Sequence, residues 1–306
     1  MMDSSAVPIY VEMIKVIESS IFQGSFKESA KEFVRFKAEK GLVFGKLTVL
    51  HHHLFDNSEK HIYELAAVIE ILILSADIFD DLQDKDNPFT PWSQVPDSIA
   101  LNIGLGLLSL SNQYSFTISK SIPHGQELLS CIQDYSLDSI AGQHLDLLDL
   151  IKGEEDYIQM IRLKSGKLTA LACLAGAIAG NASPQALEII RKYSETVGMF
   201  AQVSNDIEGV LRTDTKNDLL NKRRTLPVLY LLNEFNQASK EVVREVFTDR
   251  GLIEETLPLV VEKIKQSGAV QYAQVKQRVW SLEVSRMIDE LPVEDDKRNQ
   301  LKQFIL

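Results

Sequence analysis

LAAVIEILILSADIFDDLQDKD, residues 65–86, changes character halfway along. Its first half is apolar, as in a helix built for burial. Its second half gathers Asp77, Asp80, Asp81, Asp84 and Asp86. On a helix Asp80 and Asp84 stand one turn apart, with Asp81 about 100° round from Asp80. Carboxylates so close repel one another, and burying each unpaired costs on the order of several kcal/mol. A hard divalent cation such as Mg²⁺ offsets both costs, because it takes oxygen ligands and keeps water or substrate phosphate in its other positions. These residues alone also allow a plainer reading, a solvated helix end leading into a loop.

Composition narrows the choices. The chain has 306 residues, enough for one large domain or two smaller ones, and 45% of them are hydrophobic, which supports a large core. A net charge of −11 argues against a nucleic-acid backbone as the main partner. Anionic phosphates remain possible ligands where metal and a few local cations neutralise them. Cys131 and Cys173 are too few for a disulfide scaffold and wrongly spaced for zinc, which fits a reducing cytoplasm. The N-terminal MMDSSAVPIYVEMIKVIE lacks the order of a signal peptide. Glu70 and Asp77 interrupt the longest apolar run, so no transmembrane segment is expected.

Working outward, helical spacing dominates and no strand alternation stands out. Helices are expected over residues 8–22, 26–39 and 44–54. The Asp-rich helix follows, with Asn57 and Ser58 as its cap residues. Pro88, Pro91 and Pro96 enforce a loop directly after the carboxylates, suited to a lid or substrate entry. Asp97 is expected to cap a helix running to 119, and another covers 126–151. An apolar, small-residue segment around Gly176 and Gly180 suits close packing, within the chain or at a dimer interface. A helix over 185–210, a polar basic stretch, an apolar run over 226–235 and two or three amphipathic helices complete the chain. One all-α domain spanning 1–306 is the economical reading.

A second acidic constellation lies far downstream, in GMFAQVSNDIEGVLRTDTKNDLLNKRRTLP at 198–227. Asn205, Asp206 and Glu208 place oxygen ligands within one turn, and Lys216, Lys222, Arg223 and Arg224 follow. Between the two acidic segments stand Gln143 and Asp146 in AGQHLDL, and Lys164 in IRLKSGKLTA. Two acidic helix segments with isolated cations describe a trap for diphosphate, in which metals bridge carboxylate to phosphate and Lys or Arg neutralises the remainder.

In this order the elements resemble those of the trans-isoprenyl diphosphate synthases, the polyprenyl synthetase family. DDLQD at 80–84 resembles its first DDxxD motif, GQHLD at 142–146 its GQxxD element and KSG at 164–166 its Lys-Thr element. The stretch 198–209 resembles its second Asp-rich motif, and RRTLP at 223–227 its Lys-x-Thr-Leu-Pro stretch. The resemblance implies a helical bundle around a deep central cavity, Mg²⁺ as cofactor, an allylic prenyl diphosphate as substrate and a homodimer. It implies Asp80, Asp84 and Asp206 as metal ligands, with Asp81 supporting them. Lys164 and Arg223 are implied contacts of the diphosphate, Arg223 standing where the family has lysine. Gln143, Asp146, Gln202 and, more loosely, Lys216 are implied to line the site. Ser75 and Ala76 are small where many short-chain members carry aromatics, which implies an open floor for the prenyl tail.

The departures from the family are informative. Its early GGKRxRP-like element, which binds the second diphosphate, is replaced by EKGLVFGKLTVLHHHLF at 39–55, with Lys40 and Lys46 and no arginine. Its arginine pair after the first motif is replaced by Phe89 and Thr90. The second motif has Asn205 for its first aspartate and Gly209 for its last. A site without those cations leaves the oxygens of a second diphosphate unpaired, at a cost. The run 69–87 and the missing arginines resemble the ComQ-type branch, in which a pheromone precursor peptide is prenylated on tryptophan. That resemblance implies a peptide acceptor. Two alternatives stand beside it: a chain-elongating synthase whose acceptor site uses Lys40, Lys46 and the histidines, and a non-catalytic subunit of a hetero-oligomer. His51, His52 and His53 point to different helix faces, which suits partly buried groups better than a metal tract. Trp92 is expected in loop packing, and both cysteines in the core.

Overall fold

A computed structural model describes residues 3–58, 61–85, 87–214, 216–232 and 257–306. The chain forms α1 (Val7–Glu18), α2 (Ser25–Glu39), α3 (Val43–His53), α4 (Ile62–Asp84), a 3₁₀ turn (Pro91–Gln94), α5 (Asp97–Ser119) and α6 (Gly125–Leu147). After these come α7 (Glu154–Ile161), a π-helical turn (Arg162–Gly166), α8 (Lys167–Ala179), α9 (Pro184–Leu211) and α10 (Leu226–Leu232). The last elements are α11 (Leu257–Ser267), α12 (Ala269–Asp289) and α13 (Asp295–Ile305). No strand occurs among the described residues. The all-α expectation holds.

Two compact units make up the chain. The first comprises Met1–Ser136, Leu168–Lys192 and Glu290–Phe304, and the second Leu137–Lys167, Tyr193–Asp289 and Ile305–Leu306. In the first unit α4 packs against α1, α2, α3 and α5, which is why its first half is apolar all round. Residues 65–69 and 71–75 are buried, and complete burial of one Leu or Ile contributes about 1.5–3 kcal/mol. Glu70 is the exception: its carboxylate is buried and accepts the Gly45 N–H at 2.7 Å at the start of α3. Gly176 and Gly180 let α8 lie directly on α3. A Cβ at 176 would collide with the Thr48 carbonyl oxygen, and one at 180 would sit 2.8 Å from that of His52. The small-residue face is thus used inside the chain.

In the second unit, one cluster of the core joins Tyr157, Met160 and Ile161 to Met199, Val203, Leu226, Ala273 and Trp280. A neighbouring cluster holds Val210, Leu219, Val228, Leu231, Val260 and Ile264.

Several expected boundaries move for local reasons. The first helix stops at Glu18 instead of 22, because Ser19 and Ser20 turn their hydroxyls back onto the carbonyls of Lys15 and Ile17. Ser58 does not cap α4. Its N–H and hydroxyl go to the Asp56 carboxylate at 2.8 and 2.7 Å, closing a turn, and α4 starts after His61 with φ 63°. Asp97 is the first residue of α5, not its cap, and there complements the helix dipole. α6 ends at Leu147, short of 151, and Asp149 with φ 49° turns the chain away. The apolar run over 226–235 forms α10 as far as Leu232, and residues 233–235 lie outside the described residues, as does Asp86.

Candidate active site

In the first unit the acidic motif forms the C-terminal turns of α4, with Asp80, Asp81 and Asp84 all half-buried. Lys85 follows in the left-handed region at φ 55°, donating its N–H to the Asp81 carbonyl at 2.9 Å and ending the helix there. The Asp81 carboxylate turns toward the following loop. Its Oδ2 accepts Trp92 Nε1–H at 2.6 Å and Asn87 Nδ2–H at 3.3 Å. Burial pushes the Asp81 carboxyl up to about 6, against these two donors; Asp77 and Asp80 raise it further by repulsion. Asp77 itself is held by Lys37 Nζ at 2.6 Å. Trp92 is 3% exposed, edge-on to Phe33 and Phe36 of α2 at 5.5 and 5.4 Å. The loop after the motif is therefore pinned at Trp92, while Phe89 stands 81% exposed beside the buried Thr90.

The histidines and early lysines lie in the same unit. His51 and His52 are buried, and His51 Nδ1 donates to the Leu47 carbonyl at 2.7 Å, so that nitrogen carries the proton. Lys46 Nζ lies 3.3 Å from Asp3. Lys40 Nζ lies 5.2 Å from the centre of the Phe36 ring.

In the second unit, residues distant in sequence meet around the π turn. A π turn is one residue wider than an α turn and redirects the side chains it carries. Lys164 lies within it and donates to Asp146 Oδ2 of α6 at 2.7 Å. The two elements touch because residue 142 is glycine: a Cβ there would collide with the Lys164 backbone nitrogen. Ser139 Oγ donates to the Lys164 carbonyl at 3.1 Å, and Ser165 Oγ to Gln202 Oε1 at 2.7 Å. Gln202 Nε2 in turn donates to Asp206 Oδ1 at 2.9 Å, and the Tyr157 hydroxyl donates to Asp206 Oδ2. Asp206 is buried, which pushes its carboxyl up to about 6; Tyr157 and Gln202 pull it down, as does the Lys164 charge, and Asp146 raises it. Gln143 is half-buried on α6, beside Gly142.

The rest of the second acidic stretch is distributed differently. Asn205 and Glu208 are exposed, so Asp206 alone of the three turns inward. Gly209 leaves room that the Asp218 carboxylate fills: a Cβ at 209 would sit 2.5 Å from Asp218 Oδ2. Sequence reasoning missed Asp218, since it stands outside any motif spacing. In the basic run Lys222 is exposed, Arg224 donates to the Ile151 carbonyl at 2.7 Å, and Arg223 is half-buried, its N–H on the Asp218 carbonyl at 2.8 Å. Lys216 is half-buried and donates its N–H to Asp214 Oδ1 at 3.0 Å.

Among the described residues no three His, Cys, Asp or Glu side chains form a ready-made metal cage. The donors are hard carboxylate oxygens at a half-buried helix end, and these fit Mg²⁺, which takes one or two carboxylates and fills its octahedron with water and substrate phosphate. They do not suit zinc, which prefers Cys and His.

The fold defines a class. The chain matches a polyprenyl synthetase from Streptomyces coelicolor with a TM-score of 0.85 at 18% identity, over 99% of this chain and 97% of that one. It also matches a Caulobacter crescentus polyprenyl synthase, described as complexed with calcium and isoprenyl diphosphate, with a TM-score of 0.82 at 18% identity over 99% and 93%. Residues 42–264 match the polyprenyl synthetase family, and the chain belongs to it. Within the family it is similar to the tryptophan prenyltransferase ComQ of Bacillus subtilis subsp. natto, 34% identical over 97% of this chain and 91% of that protein. The chain is a prenyltransferase.

Proposed function

We propose that the enzyme transfers a geranyl or farnesyl group from its diphosphate to a tryptophan of a peptide pheromone precursor. End-to-end similarity to ComQ carries this reading. The loop after DDLQD supports it, because it presents an exposed Phe89 and a buried Thr90 instead of cations for a second diphosphate.

Asp80, Asp84 and Asp206 would hold Mg²⁺, which when bound supplies positive charge against the departing diphosphate. Lys164 and Arg223 bind the diphosphate and neutralise the charge it gains on leaving. Gln143, Asp146, Gln202 and Lys216 line the donor site, with Asp146 orienting Lys164. The bond between the prenyl C1 and the diphosphate oxygen breaks with its electron pair on oxygen. The electron-rich indole ring forms the new bond to C1 and then releases a proton to solvent. A homodimer in the cytoplasm belongs to the same proposal. The exposed Leu101, Leu105 and Phe116 along α5 support an association surface, and no helix among the described residues is long and apolar enough to cross a membrane.

The test is the mass of a Trp-containing precursor peptide after incubation with enzyme, Mg²⁺ and geranyl or farnesyl diphosphate. A gain of one prenyl group on tryptophan is expected. An unmodified peptide beside efficient elongation with isopentenyl diphosphate sinks the proposal. The elongating alternative called on Lys40, Lys46 and the histidines. The burial of His51 and His52, and the Lys46–Asp3 pair, count against it. Asp80→Ala addresses the non-catalytic alternative: turnover should fall roughly a hundredfold or more, with thermal unfolding unchanged.

A further inference from the structure

A buried indole N–H needs an acceptor, and a carbonyl or hydroxyl can serve. Trp92 instead donates to a carboxylate of the acidic motif, Asp81 Oδ2, at 2.6 Å. The indole cannot drift from this partner, because Phe33 and Phe36 hold it edge-on and it is all but excluded from solvent. Asn87 adds a second donor to the same oxygen at 3.3 Å. Such bonds to an ionised acceptor are shorter and roughly twice as strong as neutral ones. Asp81 is adjacent to Asp80, and left alone its carboxylate would compete for whatever cation Asp80 and Asp84 attract.

We propose that Trp92 is a positioning residue for prenyl transfer: it holds the Asp81 carboxylate on the loop side of α4 and so leaves Asp80 and Asp84 as the pair that engages the donor. The same bond ties the Pro-rich loop to the motif, so the loop is a fixed wall at Trp92 and open to solvent at Phe89. A cavity of about 250 Å³ lies beside that wall, lined by Asp81, Lys85, Asn87, Pro88 and Trp92 among others. The inference rests on the prenyltransferase reading but not on the identity of the acceptor.

The test is a double-mutant cycle with a spectroscopic readout. Trp92→Phe keeps a ring against Phe33 and Phe36 and removes the N–H donor. It should lower kcat roughly ten- to a hundredfold, the rate equivalent of one lost charge-assisted hydrogen bond, with donor KM changed far less. In an Asp81→Ala background, which removes the acceptor, the same substitution should have no further effect. Additive losses, or no loss in the single variant, overturn the proposal while leaving peptide prenylation intact. The second readout needs no turnover. The chain has two tryptophans, so the indole ¹⁵N–H signal missing from Trp92→Phe identifies Trp92. Adding Mg²⁺ and inorganic diphosphate should move that signal in the wild type and not in Asp81→Ala. A signal that stays put in the wild type, or moves equally in both, overturns the positioning role even if Trp92→Phe folds poorly.

Discussion

Tyr157 and Gln202 between them take both oxygens of Asp206, a carboxylate only 5% exposed. Tyr157→Phe removes one donor and leaves an oxygen of a buried carboxylate without it. The expected loss is about 1–3 kcal/mol of stability at pH 7, read by denaturant unfolding, and the Asp206 carboxyl should rise further above its ordinary value. His51 gives a prediction that depends on pH. Burial depresses it to about 4 from 6.5, so above pH 6.5 neither the folded nor the unfolded chain protonates it. As pH falls from 6.5 toward 4 the unfolded chain takes up a proton that the folded one refuses, and stability declines by roughly 3 kcal/mol. His51→Met, which removes the titrating ring, should flatten the unfolding midpoint across that window. An unchanged slope would show that the acid sensitivity lies elsewhere.

At the scale of elements, close approaches permitted by glycine carry much of the architecture. Gly176→Ala would drive a methyl into the Thr48 carbonyl and push α8 from α3, at about 1–3 kcal/mol measured by thermal unfolding. The long helices were legible because their apolar positions repeat at helical spacing and each meets a partner: α5, α9 and the start of α4's apolar run fall close to where spacing places them. The boundaries that moved depend on side chains choosing a turn over a helix, as Ser58 does with Asp56. Within the candidate site, Lys164 with Asp146 and Gln202 with Asp206 were nameable as elements of a motif. Tyr157 on Asp206, Trp92 on Asp81 and Asp218 over Gly209 were not, because each pairing is made by packing between segments and no spacing records it.

At the scale of the molecule, metal is expected to serve chemistry and not folding. No ready-made cage of His, Cys, Asp or Glu exists among the described residues, and each unit has apolar core clusters of its own. Chelation should therefore abolish prenyl transfer and leave helical circular dichroism and the melting temperature nearly unchanged in the absence of donor. A large drop in melting temperature on chelation would instead assign a structural ion. The net charge of −11 makes the local cations decisive, since an anionic donor approaches a protein that repels it overall. Raising ionic strength should thus weaken that general repulsion while sparing the buried contacts of the site.

The wide turn at Arg162–Gly166 behaves as a single-residue insertion spliced into an otherwise continuous helical rod. Excising Leu163 would restore ordinary winding while preserving the register in which α8 meets its neighbours. Lys164 would then swing away from Asp146. A shortened chain of this kind should melt near the parent temperature yet bind diphosphate poorly, separating by one peptide unit what the rod supports from what it aims.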